Sequence, residues 1–382
     1  MKSFRGSALF SKIILILGFA LSLGIPNSEA IATSSQNQSG WSTNQKKRSI
    51  DLSEIMSGGV GKDGIPAINE PRFETLDEAK RWLNKQEPVI ALAVGGEARA
   101  YPLQILIWHE IVNDIVGKTP VAVTFCPLCY SAIAFDRTID GRMHTFGVSG
   151  MLRKSDMVMY DRETESWWQQ MLGEAIVGDL TGKKLAQLPA QIISFERFSE
   201  TYQHGRVLSR ETGHRRDYGR NPYTGYDDIN QKPFLFRGKL DDRLPPMEKL
   251  VTVTIKKTDK AYPHSQTRKL NVIHDEISGQ PIVIFHTADG AVSALDNKDI
   301  GSSRQVGDIG VFDPRVDGKV LHFKYRGTKF VDEETGSEWN ITGQAMAGKL
   351  KGRKLTPLTH GHEFAFAWLA FKPNTVIWRN KP

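Results

Sequence analysis

Residues 161–168 read Asp-Arg-Glu-Thr-Glu-Ser-Trp-Trp, and residues 332–339 read Asp-Glu-Glu-Thr-Gly-Ser-Glu-Trp. Both segments place Asp, Thr, Ser and Trp at the same spacing. A pattern that recurs within one chain is typical of a structural unit that is present more than once. The two segments therefore predict that one folding unit occurs twice along the chain.

Further matches flank this motif in the same order in both halves. The matched residues are Ala100-Tyr101-Pro102 with Ala261-Tyr262-Pro263, Asp114 with Asp275, Pro120 with Pro281, Ala134 and Asp136 with Ala294 and Asp296, and Gly173, Gly178, Gly182 and Leu185 with Gly343, Gly348, Gly352 and Leu355. Because the blocks keep nearly constant offsets, we expect two copies of one unit at 86–208 and 249–378. Residues that both copies share are expected to be architectural, whereas residues found in one copy are candidates for a site.

The inner segments of each copy are short, alternate between apolar and polar residues, and are separated by turn residues. Examples are residues 121–125, 131–135, 142–148, 282–285 and 320–325. This pattern is typical of hairpin-rich antiparallel sheet. A helix is expected from residue 102 to about residue 113, with proline in its first turn. The predicted fold class is α+β, mainly antiparallel β, with two diverged copies packed as a pseudo-symmetric pair.

The first fifty residues have the composition of an export signal followed by a linker. Lys2 and Arg5 precede an apolar run at 13–25, and Ser28 and Ala30 supply the small residues of a cleavage site. The apolar run is too short for a membrane span, which needs about 20 residues. We expect residues 1–30 to be a signal peptide, 31–50 a disordered linker, and the mature protein to be periplasmic or secreted with no membrane span.

The remaining chain divides into three parts. Residues 51–208 are expected to be the N-terminal repeat unit, 209–248 a connecting loop or lid, and 249–382 the C-terminal repeat unit. The loop has no counterpart in the repeat and is long for a connection, which favours a functional segment. The net charge of +7 is spread among acidic residues rather than gathered on one stripe, so a nucleic-acid partner is not expected. The sequence leaves the partner open between a small ligand and another protein.

The chain has two cysteines, Cys126 and Cys129, separated by Pro127 and Leu128. Proline at the second position suits a type I turn, so the pattern predicts a two-residue hairpin loop flanked by both cysteines. Their Cα atoms would lie about 5.5 Å apart, which permits either a disulfide or shared binding of one metal ion. Phe285-His286 and Asp289 are matched to this loop in the second copy, so the first copy alone is expected to carry this chemistry.

Three more residues of the first copy could complete a metal site. His109 lies on the flank of the predicted helix, and Met157 and Met159 alternate along a strand-like run, so that both point to one side. Thiolate, thioether and imidazole ligands together suit Cu(I) better than Zn(II). The sequence therefore predicts a copper site formed by Cys126, Cys129, His109, Met157 and Met159. The alternatives are that the methionines fill the core and that the histidine is a surface or capping residue.

Four longer stretches carry a resemblance to a known family. They are residues 63–68 (Asp-Gly-Ile-Pro-Ala-Ile), 124–129 (Thr-Phe-Cys-Pro-Leu-Cys), 149–164 (Ser-Gly-Met-Leu-Arg-Lys-Ser-Asp-Met-Val-Met-Tyr-Asp-Arg-Glu-Thr) and 222–226 (Pro-Tyr-Thr-Gly-Tyr). Across most of residues 50–378 the chain resembles the exported prokaryotic family known as domain of unknown function 3179. The resemblance implies that the cysteine pair, the methionine run and the loop containing Asp63 are family features, and it carries no activity with it.

Three functions are compatible with the sequence. The first is an extracytoplasmic metal-binding protein, with copper as the expected ion. The second is a non-enzymatic interaction or scaffold module in which a Cys126–Cys129 disulfide pins a hairpin. The third is an enzyme in which residues 209–248 cover a pocket near Asp63 and Glu110. Asp161 and Ser166 are not expected to be catalytic, because both copies share them and no histidine or Gly-x-Ser-x-Gly context accompanies them.

Overall fold

The alternating apolar runs form strands that pair into small antiparallel sheets. A computed structural model describes residues 40–380 of the chain. The predicted α+β fold with mainly antiparallel β-structure is confirmed. The predicted signal peptide (1–30) and residues 31–39 of the predicted linker lie outside the described residues. Between residues 40 and 380, no helix combines the length and the apolar character that crossing a bilayer requires.

The first half contains three sheets. In spatial order, sheet 1 consists of Ala190–Ser194, Pro88–Val94, Glu97–Pro102, Arg206–Leu208 and Phe73–Glu74; sheet 2 of Ala186–Leu188, Ser131–Asp136, Thr119–Cys126 and Ile111–Val116; and sheet 3 of Ile55–Ser57, Phe146–Arg153, Asp156–Asp161, Trp167–Gln169 and Glu174–Val177. A small hairpin pairs Thr138–Ile139 with Arg142–Met143. The α-helices are Leu76–Ala79, Leu103–His109 and Phe195–Thr201, and the 3₁₀ turns are Leu52–Glu54 and Gln170–Leu172.

The second half also contains three sheets of this size. Sheet 4 consists of Gly361–Phe364, Lys249–Ile255, Thr258–Pro263 and Val376–Ile377; sheet 5 of Val272–Ile277, Gln280–Thr287, Asp308–Asp313 and Thr356–Pro357; and sheet 6 of Phe323–Arg326, Lys329–Asp332, Glu338–Trp339 and Ala345–Ala347. A small hairpin pairs Arg315–Val316 with Lys319–Val320. The α-helices are His264–Leu270 and Ala365–Phe371, and a 3₁₀ turn covers Ile300–Ser302.

The two halves connect their strands in the same order. In each, the hairpin at the centre of sheet 1 or 4 ends in proline, Pro102 or Pro263, and leads directly into a seven-residue helix. In each, the strand that follows the last helix pairs in parallel with the second strand of that hairpin, as Val207 does with Ala100 and Ile377 with Ala261. This agreement supports the two-copy hypothesis. The superposition of the copies and their packing as a pseudo-symmetric pair stay predictions.

The repeated Asp-Trp motif closes the same turn in sheets 3 and 6. Asp161 accepts hydrogen bonds from the backbone N–H three residues later (2.8 Å) and from Trp168 Nε1 (2.9 Å). Asp332 accepts the same two bonds, with 2.9 Å to Trp339 Nε1. Both tryptophans are fully buried. A buried indole N–H needs such an acceptor, so the motif is architectural, as predicted.

One part of the predicted repeat alignment is wrong. Ala134 and Asp136 lie in a strand of sheet 2, whereas Ala294 and Asp296, to which they were matched, lie outside any strand in a connection of sheet 5. The equivalent strand of sheet 5 is Asp308–Asp313. A short turn in the first copy is replaced by a longer connection in the second, which shifts the true offset.

The helix predicted for residues 102–113 is shorter than expected. It ends at His109, and Glu110 adopts a positive φ of 59° while its N–H donates to the Leu106 carbonyl (2.7 Å). The chain then enters the strand Ile111–Val116. Because β-branched residues at 111 and 112 favour extended structure, the helix yields to the sheet at this point.

Residues 40–50 are packed against sheet 3, so the prediction of a disordered linker is wrong for this part of it. The ring of Trp41 meets those of Tyr160 and Trp167 at centroid distances of 4.9 and 5.6 Å. The backbone N–H of Ser42 donates to the Glu165 carboxylate (2.7 Å). The packed part of the chain therefore includes at least residues 40–50.

Residues 209–248, here called the strap, contain neither a helix nor a regular strand. The strap lies across both halves. Near its start, the Tyr218 hydroxyl is 2.6 Å from His109 Nε2 in the first half. Further on, the Asp227 carboxylate is 2.7 Å from Lys249 Nζ in the second half. The strap is thus a packed cover that joins the halves next to the cysteine turn.

Candidate metal centre

The cysteine turn connects two strands of sheet 2. Cys126 is the last residue of its strand and pairs with Ser131, the first residue of the next. The loop therefore has four residues, 127–130, and the predicted two-residue loop is wrong. Tyr130 closes it with a positive φ of 57°, which places Cys129 inside the turn. Both cysteines are buried and carry free thiols.

Asp156 lies against both cysteines. One ligand atom from each of Cys126, Cys129 and Asp156 falls within 4.8 Å of the other two. The Cys129 thiol donates to Asp156 Oδ1 at 2.9 Å, and the Cys126 thiol points to the Ser155 carbonyl at 3.8 Å. Two sulfur atoms and a carboxylate at this spacing can hold one metal ion.

The second oxygen of Asp156 fixes the carboxylate in place. Asp156 Oδ2 accepts hydrogen bonds from Gln169 Nε2 (2.6 Å) and from the Met171 backbone N–H (3.0 Å). These donors belong to the neighbouring strand of sheet 3 and the turn after it. Metal-binding carboxylates are commonly oriented by such hydrogen bonds, so Asp156 is held ready as a ligand.

Glu110 provides a second buried carboxylate near the cysteine turn. It is buried, and it adopts the left-handed backbone conformation in which the equivalent residue of the second half is Asn271, with φ 62°. Asparagine tolerates this conformation better than glutamate does, so the backbone alone does not account for glutamate at this position. The charges of Asp156 and Glu110 both raise the pKa of Cys126, although burial is the largest cause. The backbone places Glu110 beside the cysteine strand, because its carbonyl accepts a hydrogen bond from the Phe125 N–H (2.8 Å).

Burial dominates the electrostatics of these acids. It raises the pKa of Asp156 to about 6, against hydrogen bonds that lower it, and raises that of Glu110 to about 8, to which the charge of Asp156 adds. It raises the pKa of Cys129 well above the ordinary range. Burial also raises the pKa of Glu363 to about 8, with a smaller contribution from Asp156. Within residues 40–380, the main causes of these shifts are burial, hydrogen bonds and the charges of neighbouring acidic groups.

The strap and the second half close the centre. The Tyr226 hydroxyl donates to the Leu128 carbonyl (3.0 Å) and accepts from the Phe234 N–H (3.0 Å). Burial raises the pKa of Tyr223, and the charges of Glu110 and Cys126 add to the effect, which places this ring beside the acids. The Phe364 N–H donates to the Cys129 carbonyl (2.9 Å). Water is largely excluded from the thiols, which strengthens electrostatic interactions there.

His109, a predicted ligand, has both ring nitrogens occupied elsewhere. Nδ1 donates to the Pro66 carbonyl (2.7 Å), so Nε2 accepts from the Tyr218 hydroxyl (2.6 Å). Burial lowers the pKa of His109 to about 4, so the ring is neutral at physiological pH. His109 holds the strap in this structure and is not part of the cysteine–aspartate cluster.

Met157 and Met159 lie in the same strand as Asp156 but follow the opposite alternation. Successive side chains of a strand point to opposite faces, so both methionines lie on the face opposite to that of Asp156. Both are buried in the main apolar core. Their place in a metal shell stays a prediction.

Asp63, predicted to line an enzyme pocket with Glu110, is engaged in an ion pair. Arg162 binds both of its oxygens, at 2.7 and 2.8 Å, and the Tyr160 hydroxyl donates to one of them (2.5 Å). The carboxylate pins the 58–64 loop to sheet 3. Its charge is thereby balanced by Arg162, whereas Glu110 lies beside the cysteine strand.

Asp156 is the residue of the cluster that the sequence did not predict. It directly precedes the run that contains Met157 and Met159, in which only the sulfur-containing residues were predicted as ligands. A signal was present, because the second half has Gly327 five residues before Asp332 where the first half has Asp156 five residues before Asp161. An acid found in one copy only marks a candidate site residue.

Fold and site together define a mainly β protein with a buried cluster of two cysteines and carboxylates that can hold a metal ion. The family model described as protein of unknown function (DUF3179) matches residues 62–375, so the chain belongs to this family. The resemblance noted from the sequence motifs is thereby confirmed. Comparisons with curated proteins and with solved structures give no match.

Proposed function

We propose that this protein binds a transition-metal ion through Cys126, Cys129 and Asp156, with Glu110 facing the same ion. The observation that carries the proposal is the convergence of the Cys126 and Cys129 sulfur atoms and one Asp156 oxygen, all buried and all within 4.8 Å of one another. Buried charges are stable when paired or bound to a metal. A cation at this place would permit the thiols and carboxylates to ionise together.

The donor set favours Zn²⁺ over Cu⁺. Zinc accepts thiolate and carboxylate ligands in a tetrahedral site, whereas Cu⁺ is selected by thiolate and thioether. The expected copper site depended on Met157, Met159 and His109, whereas the residue whose ligand atom lies within 4.8 Å of both sulfur atoms is Asp156. Two thiolates and one carboxylate leave a charge of −1 around Zn²⁺ and −2 around Cu⁺, so the divalent ion is also the better electrostatic match.

A hairpin disulfide is the second candidate, because the two free sulfur atoms lie close together. Oxidation would consume both thiolate ligands and leave Asp156 and Glu110 without a cation. Reduced protein is therefore required for metal binding. An oxidised chain that cannot be reduced without unfolding would favour the scaffold function.

Asp156→Asn tests the identity of the ion. We expect it to weaken Zn²⁺ binding about 10-fold to 100-fold, because a charged ligand becomes a poor neutral one, and to change Cu⁺ binding little. The measurement is competition of each ion against a chromophoric chelator in reduced protein. Co²⁺ serves as a spectroscopic substitute for zinc, because its thiolate charge-transfer absorption reports this centre specifically.

Asp308→Asn is the matched control. Asp308 is a buried acid whose pKa burial likewise raises to about 6, and it accepts hydrogen bonds from the Ser194 and Ala291 N–H groups, outside the cluster. Its substitution should leave both affinities unchanged. Cu⁺ binding stronger than Zn²⁺ binding and indifferent to Asp156 would restore copper, and absence of both ions would refute the metal proposal.

We further propose that the protein acts outside the cytoplasm. The basic start, the apolar run at 13–25 and the small residues Ser28 and Ala30 support export and cleavage. Protein recovered from the exported fraction should then begin at Ile31 when its N-terminus is sequenced. An intact Met1 in that fraction would contradict cleavage.

A further inference from the structure

Three histidines of the second half, none of which belongs to the cysteine–aspartate cluster, lie next to one another. The ring of His362 lies 6.0 Å from that of His264 and 5.2 Å from that of His360, measured between centroids. In each of the three the Nε2 atom is buried and has no hydrogen-bond partner within residues 40–380. A buried polar atom without a partner is costly and uncommon in native proteins. Three such atoms on adjacent rings indicate a missing ligand.

The protonation of His360 shows what kind of ligand is missing. Its Nδ1 lies 2.9 Å from the Leu358 carbonyl, and a carbonyl can only accept, so Nδ1 carries the proton. In the neutral ring Nε2 then carries no proton, and this buried atom presents a lone pair that no described residue binds. Metal-binding histidines typically donate their other N–H to a backbone carbonyl in this way.

The first half has apolar residues at the same three places. Helix position and strand register match His264 to Leu103, His360 to Ala190 and His362 to Ile192. Leu103, Ala190 and Ile192 need no polar partner and are buried as part of the core. The fold therefore does not require imidazoles here, and their presence in one half alone indicates a site.

A fourth histidine nearby is not part of this set. His286, whose ring centroid is 5.8 Å from that of His264, uses Nδ1 toward the Thr267 hydroxyl (2.7 Å) and Nε2 toward the Val306 carbonyl (3.2 Å). Both of its nitrogens are satisfied within the protein. It provides a control for the three that are not.

An open cavity reaches one member of the cluster, His264. A cavity of about 460 Å³ is lined by His264 and His286 together with Lys249 and Arg268. The charge of Lys249 is offset by Asp227 at 2.7 Å. The three ligand nitrogens do not all lie within 4.8 Å of one another, so ring rotation must bring them together around an ion.

We infer that His264, His360 and His362 form a second metal site, which takes a borderline divalent ion such as Zn²⁺ or Co²⁺. Imidazole nitrogens suit ions of this class, and three histidines with an open fourth position are an established zinc geometry. This site is independent of the cysteine centre. Each half of the protein would then carry its own metal site, built from different residues at different places in the shared architecture.

The test uses full-length mature protein in which Cys126 and Cys129 are both replaced by serine, so that the thiolate centre is lost. Titration with Zn²⁺ should show about one bound equivalent, and Co²⁺ should bind without thiolate charge-transfer absorption. Adding His360→Ala and His362→Ile, which copy the residues of the first half, should abolish this equivalent. His286→Phe, which also copies the first half, should leave it unchanged.

A second measurement does not depend on histidine substitutions. Long-range ¹H–¹⁵N spectra of the thiol-free protein should show Zn²⁺ shifting the Nε2 resonances of His264, His360 and His362, and not those of His286. A thiol-free protein that is folded but binds no zinc, or whose three histidine signals ignore it, overturns the inference. A buried water would then be the partner of these nitrogens. Because the test protein lacks both cysteines, such a result would refute the histidine site alone. It would not contradict the proposed metal site at Cys126, Cys129 and Asp156.

Discussion

When both Cys126 and Cys129 are replaced by serine, the affinity of the cysteine–aspartate cluster for Zn²⁺ is expected to fall by about 100-fold or more, because both thiolate ligands are lost. Serine hydroxyls do not ionise near neutral pH and are poor zinc ligands. Asp156 and Glu110 would then be left to bind the ion alone. The expected loss exceeds that for any single carboxylate variant, because two of the three clustered ligands disappear. Co²⁺ spectra and chelator competition measure it directly.

The fold should survive this change. The second half builds the equivalent of sheet 2 without cysteine. Its strand register places Thr287 at the position of Cys126, so the predicted match of Phe285-His286 to the start of the cysteine turn is wrong by one residue. Circular dichroism and thermal unfolding should therefore show a folded protein that zinc stabilises less than wild type. For a site occupied at 1,000 times its Kd, linkage predicts about 4 kcal/mol of zinc-dependent stability, which only the wild type should gain at that site.

The variants Met157→Leu and Met159→Leu test whether the methionine sulfur atoms bind the metal ion or only fill the core. Leucine keeps the volume and apolar character of methionine, so core packing should be nearly unchanged. Unchanged affinity for both Zn²⁺ and Cu⁺ is expected if the methionines only fill the core. A selective loss of Cu⁺ binding would instead place thioether sulfur at the ion and revive the copper prediction.

Asp227→Asn should destabilise the protein by about 3–5 kcal/mol, the cost of leaving a buried charge without its partner. Asp227 lies in the strap and is 4% exposed. Its carboxylate contacts Lys249 Nζ (2.7 Å), the Ser293 hydroxyl and the Arg304 guanidinium (2.9 Å). Lys249 is itself buried, so asparagine at position 227 would leave its ammonium group without a negatively charged partner. Chemical unfolding of the two proteins measures the difference.

The effect of this aspartate depends on pH in a defined direction. Burial opposes its ionisation, but Lys249, Ser293 and Arg304 outweigh burial and lower the pKa of Asp227 from 3.8 to about 2. A carboxyl group with a lowered pKa in the folded state stabilises the protein above its unfolded pKa, and this contribution is lost as pH falls. The gap in stability between wild type and Asp227→Asn should therefore narrow from pH 4 toward pH 2.

Asp317→Asn is the control for this prediction. Asp317 and Arg353 form an ion pair in which both side chains are more than half exposed. Exposed pairs contribute about 0–1 kcal/mol, and asparagine tolerates the positive φ of 50° at this position. Equal losses at positions 227 and 317 would contradict the view that the strap is anchored by a buried ion pair.

The fold class could be predicted because its signals are local. Alternating runs predicted the hairpins, and the Asp-Trp motif predicted a turn that the structure shows in both halves. The loop between residues 287 and 308 could not be aligned, because an inserted connection leaves no periodic pattern by which to recognise it. The end of the helix at His109 was missed because a residue such as Glu110 rarely adopts a positive φ, and no glycine marks the position.

The site could be predicted only where residue type alone was informative. Cys126 and Cys129 are the two cysteines of the chain, and they do lie together at a candidate site. Asp156 is one of many acids, and its burial arises from contacts between sheets 2 and 3 that are distant in sequence. His109 was predicted as a ligand from its residue type, but its nitrogens are taken by the 66–68 segment and the strap, which sequence spacing does not reveal.

X-ray absorption at the zinc edge of reduced, zinc-loaded protein tests the central claim most directly. To isolate the cysteine centre, the sample carries His360→Ala and His362→Ile. The account predicts one zinc with two sulfur neighbours at about 2.3 Å and oxygen neighbours at about 2.0 Å, and loss of one oxygen neighbour or of tight binding in Asp156→Asn. A shell of nitrogen and oxygen alone, or a folded reduced protein that retains no zinc, would contradict it.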